Sequence, residues 1–133
     1  MANPPELLFD TTALIDVYRG MNRIRPYFDS ILTGEIIPYV SVVTEAELWR
    51  GMRAEELARH EMIMEQFTSL PLDSDASHLA GAWMKKFVDS GLGWMDAFIA
   101  ATGKMAGLPV LTRDKRLAEL LSTETKFELY PST

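Results

Sequence analysis

The sequence contains no cysteine. Disulfides, zinc–thiolate sites and cysteine nucleophiles are thereby excluded together, and the redox compartment is left open. Histidine is nearly absent as well: His60 and His78 stand alone, with no His, Cys or Asp at a spacing that would make a zinc site, and both read as surface residues. No apolar run approaches the roughly 18 residues of a membrane-spanning helix. The stretch Met1–Glu6 carries no basic residue and leads straight into a short apolar run, unlike a secretory signal, so the cytoplasm is the expected location. Phosphate-cradling glycine motifs are missing: Gly91-Leu92-Gly93 runs directly into Trp94, Met95 and Asp96. Positive charge is scarce too. Thirteen Lys and Arg face 19 Asp and Glu, for a net charge of −6. Such a balance disfavours a nucleic-acid binder that works through a basic surface. It allows one whose acidic residues converge on a metal site, where bound cations reverse the local sign.

What is present is a chain of 133 residues, 47% hydrophobic and 24% charged, the profile of one ordinary globular domain spanning residues 1–133. There is no repeat, low-complexity tract or linker. Leu7-Leu8-Phe9 is a short unalternating apolar run, as in a strand buried on both faces. Thr12–Arg19 reads as a short helix stopped by Gly20, and Ile24–Leu32 as another with Pro26 in its first turn. Ile36–Val43, rich in Ile and Val, reads as a second strand. Helices over Thr44–Arg53 and Glu55–Phe67 follow, then a short strand at Ser69–Leu72. Asp75–Ser90 is amphipathic, with Leu79, Ala82, Trp83, Lys86 and Phe87 along its stripe. Met95–Ala106 is so apolar that it should be buried on most sides. Pro109–Thr112, Asp114–Leu121 and Lys126–Leu129 close the chain as strand, helix and strand. This alternation implies an α/β fold with a parallel sheet covered on both faces. In such sheets, sites form outside the carboxyl ends of the strands.

Four acidic residues map to that edge. Asp10 directly follows the first strand and Asp114 the fourth. Glu47 falls in the first turn of the helix after the second strand, and Asp96 opens the apolar helix. Gathered carboxylates raise one another's pKa and cost stability. A hard, oxygen-preferring cation such as Mg²⁺ or Mn²⁺ removes that cost. One or two such ions activate a water for phosphoryl displacement. Each residue also has a plainer reading. Asp10 and Asp114 suit helix N-caps, and Thr44-Glu45-Ala46-Glu47 is a complete capping box. Asp96 is the exception, because Asp is rarely sunk into apolar surroundings without a partner.

In sequence, Phe9-Asp10-Thr11-Thr12-Ala13-Leu14-Ile15-Asp16 resembles the opening motif of PIN-domain nucleases. Ser41-Val42-Val43-Thr44-Glu45-Ala46-Glu47-Leu48, with Gly51 after it, is similar to the second motif, its acidic ligand matching Glu47. Met95-Asp96-Ala97-Phe98-Ile99-Ala100-Ala101 resembles the third, and Val110-Leu111-Thr112-Arg113-Asp114 the fourth. Each alone is weak; the four in order over residues 7–114 make a strong signal. The chain length and the Glu-Leu and Ala-Ala contexts resemble the VapC toxin branch. The resemblance implies a PIN-like three-layer α/β/α fold around a parallel sheet of four to five strands. It implies Mg²⁺ or Mn²⁺ held by Asp10, Glu47, Asp96 and Asp114, with Thr12 and Thr112 as supporting hydroxyls. It also implies an RNA substrate cut by metal-activated water and a VapB-like antitoxin as partner; a homodimer is expected besides. Thr12 stands where Ser is commoner, and the bulky pair Trp94-Met95 precedes Asp96, where it could reshape access to the site.

Arg113, Lys115 and Arg116 flank Asp114, while Arg19, Arg50 and Arg53 follow the first two motifs; these are candidates for RNA phosphates, with solvated surface charge as the plainer reading. Asp16 reads as a surface charge, and Met52, Met62 and Met64 as packing residues. The tracts Met62-Ile63-Met64 and Tyr27-Phe28 suit a dimer face or a partner groove. Two rival enzyme classes fail on particulars. A dehalogenase-like phosphatase needs Asp-x-Asp after the first strand, and here Thr12 takes the second place; a phospho-receiver needs an acidic pair that is missing. A PIN nuclease of RNA processing without an antitoxin, or a non-catalytic PIN scaffold, remain as alternatives.

Overall fold

The structure is a computed structural model and describes residues 3–132; Met1, Ala2 and Thr133, parts of the stretches read above, lie outside them. Five parallel strands form one sheet in the order β3-β2-β1-β4-β5. They are β1 (Glu6–Phe9), β2 (Ile37–Ser41), β3 (Thr68–Leu70), β4 (Val110–Thr112) and β5 (Phe127–Leu129). The helices are α1 (Thr11–Tyr18), α2 (Arg25–Leu32), α3 (Val42–Arg50), α4 (Leu57–Met64), α5 (Ser74–Lys86), α6 (Trp94–Ala106) and α7 (Lys115–Leu120). The expected doubly covered parallel sheet is therefore present, with five strands.

Strand β1 sits at the centre, paired with β2 through Leu8↔Tyr39 and with β4 through Leu8↔Val110. Alternation along it sorts the two cores. Leu7 and Phe9 point to one face, where they meet Ala13, Leu14 and Val17 of α1, Ile31 of α2, Leu48 of α3 and Ile63 of α4. Leu8 points to the other, against Val110 and Ile99 of α6. Beyond it α5, α6 and α7 share Ala80, Trp83, Ala97, Ala101 and Leu117. A β-carbon on Gly103 would lie 2.8 Å from Val110 and 3.3 Å from Leu8, so only glycine lets α6 lie this close to the sheet. Removing the fully buried Phe9 ring would cost about 3–5 kcal/mol.

The boundaries differ from the sequence reading in places with physical causes. Strand β2 ends at Ser41, whose hydroxyl accepts from the Val43 N–H at 3.0 Å and starts α3 at Val42. The β-branched pair Val42-Val43 therefore belongs to the helix, and α3 stops at Arg50 before Gly51, short of Arg53. Thr44 caps nothing, and Glu47 falls in the second turn of α3, one turn later than the capping-box reading placed it. The single helix expected over Glu55–Phe67 is a turn of 3-10 helix at Ala54–Glu56 followed by the shorter α4. On α5 the buried side chains are Ala76, Ala80 and Trp83, whereas Ala82 and Lys86 face solvent.

The β1/β4 pair marks the point where strand order reverses. Chain connections leave β1 toward β2 on one side, and those after β4 lead to β5 on the other. A crevice opens outside the carboxyl ends of these two strands, the place where ligands bind in open α/β sheets.

Candidate metal centre

Asp10 follows β1 at that crevice and caps α1. Its Oδ1 accepts from the Ala13 N–H at 2.9 Å and from the Thr12 hydroxyl at 2.7 Å. The Thr112 hydroxyl at the end of β4 lies near enough to favour the charged form of that carboxylate and accepts from the Asp114 N–H at 3.0 Å. Thr112 thus couples the two strand ends. Asp114 caps α7 through the Leu117 N–H at 3.0 Å. Both plainer readings as helix caps hold, and both residues nonetheless lie at the crevice. Glu47 reaches in from α3, its Oε1 taking the Thr11 hydroxyl proton at 2.7 Å. Thr11 in turn lies 2.9 Å from the Thr44 hydroxyl.

Asp96 lies half-buried in the first turn of α6, whose N-cap Gly93 offers no side chain. Burial first, and with it the charges of Asp10, Asp114 and Glu47, pushes its carboxyl up to about 6. Asp10 is raised as well, first by burial and also by Asp114, against hydrogen bonds from Thr112, Thr12 and Ala13 that favour its charge. The charges of Asp10, Asp114 and Glu47 are thus all felt at Asp96. The donor set of the site is all oxygen. Among the described residues no hydrogen bond engages either oxygen of Asp96, Oε2 of Glu47 or Oδ2 of Asp114. Among the same residues no three acidic or histidine side chains are drawn close enough together to hold a metal ion as they stand. The site is thus an open acidic crevice with uncommitted oxygens. That set suits a hard divalent cation that keeps several of its own waters, as Mg²⁺ does.

The basic candidates are dispersed. Arg19 and Arg50 are exposed at the ends of α1 and α3. Arg53 pairs with Glu56 at 3.7 Å, and Lys115 with Glu119 at 3.8 Å. Arg116 donates to the Ser90 carbonyl at 2.9 Å, bracing the turn at Gly91. Arg113 is turned inward, its Nε 3.0 Å from Asp16. Trp94 and Met95 stay exposed at the start of α6, the Trp94 ring stacked obliquely on Phe98 at 5.4 Å.

Three roles escaped the sequence. Asp16 is no surface charge: it is fully buried and takes Arg23 through both oxygens at 2.8 Å, besides Arg113 and the Tyr130 hydroxyl. Thr11, beside the recognised Thr12, is the residue that fixes Glu47. His60 is half-buried rather than free, bonded to the Tyr18 hydroxyl and tilted against Trp49 at 5.9 Å. The adjacent hydroxyls Thr11-Thr12 after the acidic strand end were a readable signal; nothing local announced the others.

The PIN domain family matches residues 7–120, most of the chain and all four carboxylates. The chain belongs to the PIN domain family. Solved structures share its fold. VapBC-5 from Mycobacterium tuberculosis, a member of the VapBC family of toxin–antitoxin systems, is 26% identical with a TM-score of 0.66, the match covering 95% of this chain and 98% of that one. DNA-bound VapBC from Salmonella typhimurium is 22% identical with a TM-score of 0.77, over 93% of this chain and 97% of that one. VapBC2 from Rickettsia felis, bound to a promoter DNA fragment, is 13% identical with a TM-score of 0.78, over 94% and 98%. Comparison with curated proteins returns no match. Within the PIN fold, no helix among the described residues is long and apolar enough to cross a membrane.

Proposed function

We propose that this PIN domain is an endoribonuclease dependent on Mg²⁺ or Mn²⁺, and the toxin of a VapBC-type pair held in check by a small antitoxin. The observation that carries the reading is Asp96. A half-buried carboxylate with no hydrogen-bond donor, facing three more carboxylates, is unfavourable in a protein unless a cation joins it. Asp10, Glu47, Asp96 and Asp114 are the residues that would hold the ion. When bound, such an ion would lower the pKa of a water it holds, easing that water's deprotonation, and would offset charge gathering on the phosphate. The chain's own groups orient that set. Thr12 and Thr112 fix Asp10, Thr112 also ties down Asp114, and Thr11 fixes Glu47. The protein's acidity is compatible with an RNA substrate, because the four carboxylates at the site are where cations would reverse the local sign.

The partner reading rests on a second place. A groove of about 520 Å³ runs between α1, α2 and α4, lined by Val17, Ile24, Phe28, Leu32, Met62 and Ile63. It unites two tracts far apart in sequence, and Leu32 and Met62 lie open in it at 58% and 67% exposure. Arg25, Asp29 and Arg59 stand along its walls. Its shape fits the apolar face of an antitoxin helix with charged flanks. The similar solved structures include VapBC assemblies, which supports the same occupant. The reading includes a homodimer and a cytoplasmic setting.

The test is incubation of purified protein with total RNA, with Mg²⁺ or Mn²⁺ and with chelator, followed by mapping of the cut ends. Cleavage that requires the ion is expected. Intact RNA under all conditions, from folded protein, overturns the nuclease reading and favours a binding scaffold.

A further inference from the structure

Behind the acidic crevice, and outside residues 7–120 of the family match, Tyr130 is buried at 3% exposure just after β5. Its hydroxyl donates to Asp16 Oδ2 at 2.7 Å. Beside that hydroxyl lies the hydroxyl of Thr12, and the Asp10 charge is close enough to be felt at the phenol. Thr12 gives its own proton to Asp10 Oδ1 at 2.7 Å. Two hydrogen-bonded pairs, Tyr130 with Asp16 and Thr12 with Asp10, therefore adjoin where the two hydroxyls meet. On the far side Asp16 is clamped by Nε and Nη2 of Arg23, each at 2.8 Å, and by Arg113 at 3.0 Å. Arg23 also donates to the Ser132 carbonyl at 2.8 Å, tying down the backbone beyond Tyr130.

We infer that Tyr130 is a positioning residue for Asp10, set in place by the Asp16–Arg23–Arg113 cluster. The inference rests on the metal-centre reading of Asp10. A threonine hydroxyl rotates freely and can give its proton to any acceptor in reach. Asp16 takes the Tyr130 proton, and the phenol oxygen then fills the space beside Thr12. The Thr12 proton is left directed at Asp10 Oδ1, with water kept from the rear of the carboxylate. The backbone N–H of Ala13 holds the same oxygen, so the carboxylate plane is fixed from behind. The cluster serves more than stability. Asp16 alone would be a buried charge; two arginines and a phenol make it a rigid post, and the post bears on the site through one hydroxyl.

Tyr130→Phe removes that hydroxyl and keeps the ring in the core. Binding of Mn²⁺ alone, by calorimetric titration of the purified full chain, reads the effect without cleavage. Weakening by about tenfold is expected, in the range that outer partners of metal ligands usually contribute. Cleavage of RNA should then need correspondingly more Mn²⁺, with KM for RNA unchanged. Asp16→Asn, read the same way, should act in the same direction; its fold is checked by circular dichroism. Because a merely structural role would lower the melting temperature and leave Mn²⁺ affinity alone, Tyr130→Phe with unchanged Mn²⁺ affinity overturns the inference. Wild-type protein that binds Mn²⁺ but cuts no RNA overturns the nuclease reading and leaves this one standing. Wild-type protein that binds no Mn²⁺ overturns both.

Discussion

The Thr11 hydroxyl donates to Glu47 Oε1 across 2.7 Å, joining the first turn of α1 to the second turn of α3. Thr44 stands 2.9 Å from the same hydroxyl. One carboxylate oxygen of Glu47 is thereby occupied while the other is left toward the crevice. Thr11→Val keeps the shape and removes the donor. Its cost in stability should be about 1 kcal/mol, and its cost in cleavage rate about tenfold. Urea denaturation and steady-state cleavage of an oligoribonucleotide measure the two. A loss of stability with full activity would reduce Thr11 to a packing residue.

Neutralising a ligand should separate stability from activity. In Asp96→Asn the carboxylate that feels Asp10, Asp114 and Glu47 is gone, so the metal-free protein should melt about 2–4 °C higher. Cleavage should fall by more than about 100-fold, beyond what loss of an outer partner costs. Asp10→Asn should abolish cleavage too. Asn is as good an N-cap as Asp, so α1 should persist. Differential scanning calorimetry without metal, beside the cleavage assay, checks both variants. Wild-type activity in either would remove it from the ligand set.

Acid should stabilise the metal-free chain and silence it. Asp96 is held up at about 6 in the folded state against an ordinary 3.8, and Asp10 is shifted the same way, chiefly by burial. Between about pH 4 and pH 6 the folded chain binds protons that the unfolded chain does not, so stability rises as pH falls through that window. Asp16 works oppositely: its arginines and Tyr130 lower its pKa, so its contribution is lost only below the ordinary carboxylate range. The melting temperature without metal should be higher at pH 5 than at pH 7.5, and Asp96→Asn should flatten the slope. Metal-dependent cleavage should fall below about pH 6, where protonated Asp96 no longer offers a charged ligand. A melting temperature that falls steadily from pH 7.5 to 5 would contradict the coupled site.

A partner that holds off such a site should use charge as well as apolar contact. The uncommitted oxygens of Glu47, Asp96 and Asp114 suit the planar fork of an arginine better than the point charge of lysine. Expressed alone, the chain should arrest growth and degrade RNA; expressed with the protein encoded beside it, it should not. Phe28→Asp in the groove should release the partner while leaving cleavage intact. Normal growth with soluble, folded protein would count against the toxin reading.

How far the sequence disclosed this molecule depended on distance along the chain. Leu7–Phe9 and the apolar Met95–Ala106 tract showed themselves through local pattern, and both are buried as read. The carboxylates could be placed because each follows or opens an element, and position in a parallel sheet does the rest. Val42 and Val43 misled because β-branching suggests a strand, while the Ser41 hydroxyl, one residue earlier, starts a helix. Asp16 misled more deeply. On its own helix it has no partner; Arg23 lies past the helix end, seven positions on, and Arg113 and Tyr130 lie 97 and 114 positions away. A salt bridge closed over such a span leaves no periodic trace.

The register Leu8↔Val110 and Phe9↔Leu111 joins the first strand to one emerging near the end of the chain. Asp10 and Asp114 become neighbours only when that pairing forms. A chain still threaded through a ribosome, with Asp114 not yet released, has three of the four carboxylates and half of a crevice. The order of synthesis thus leaves the acidic crevice unassembled until β4 has been made and has paired with β1.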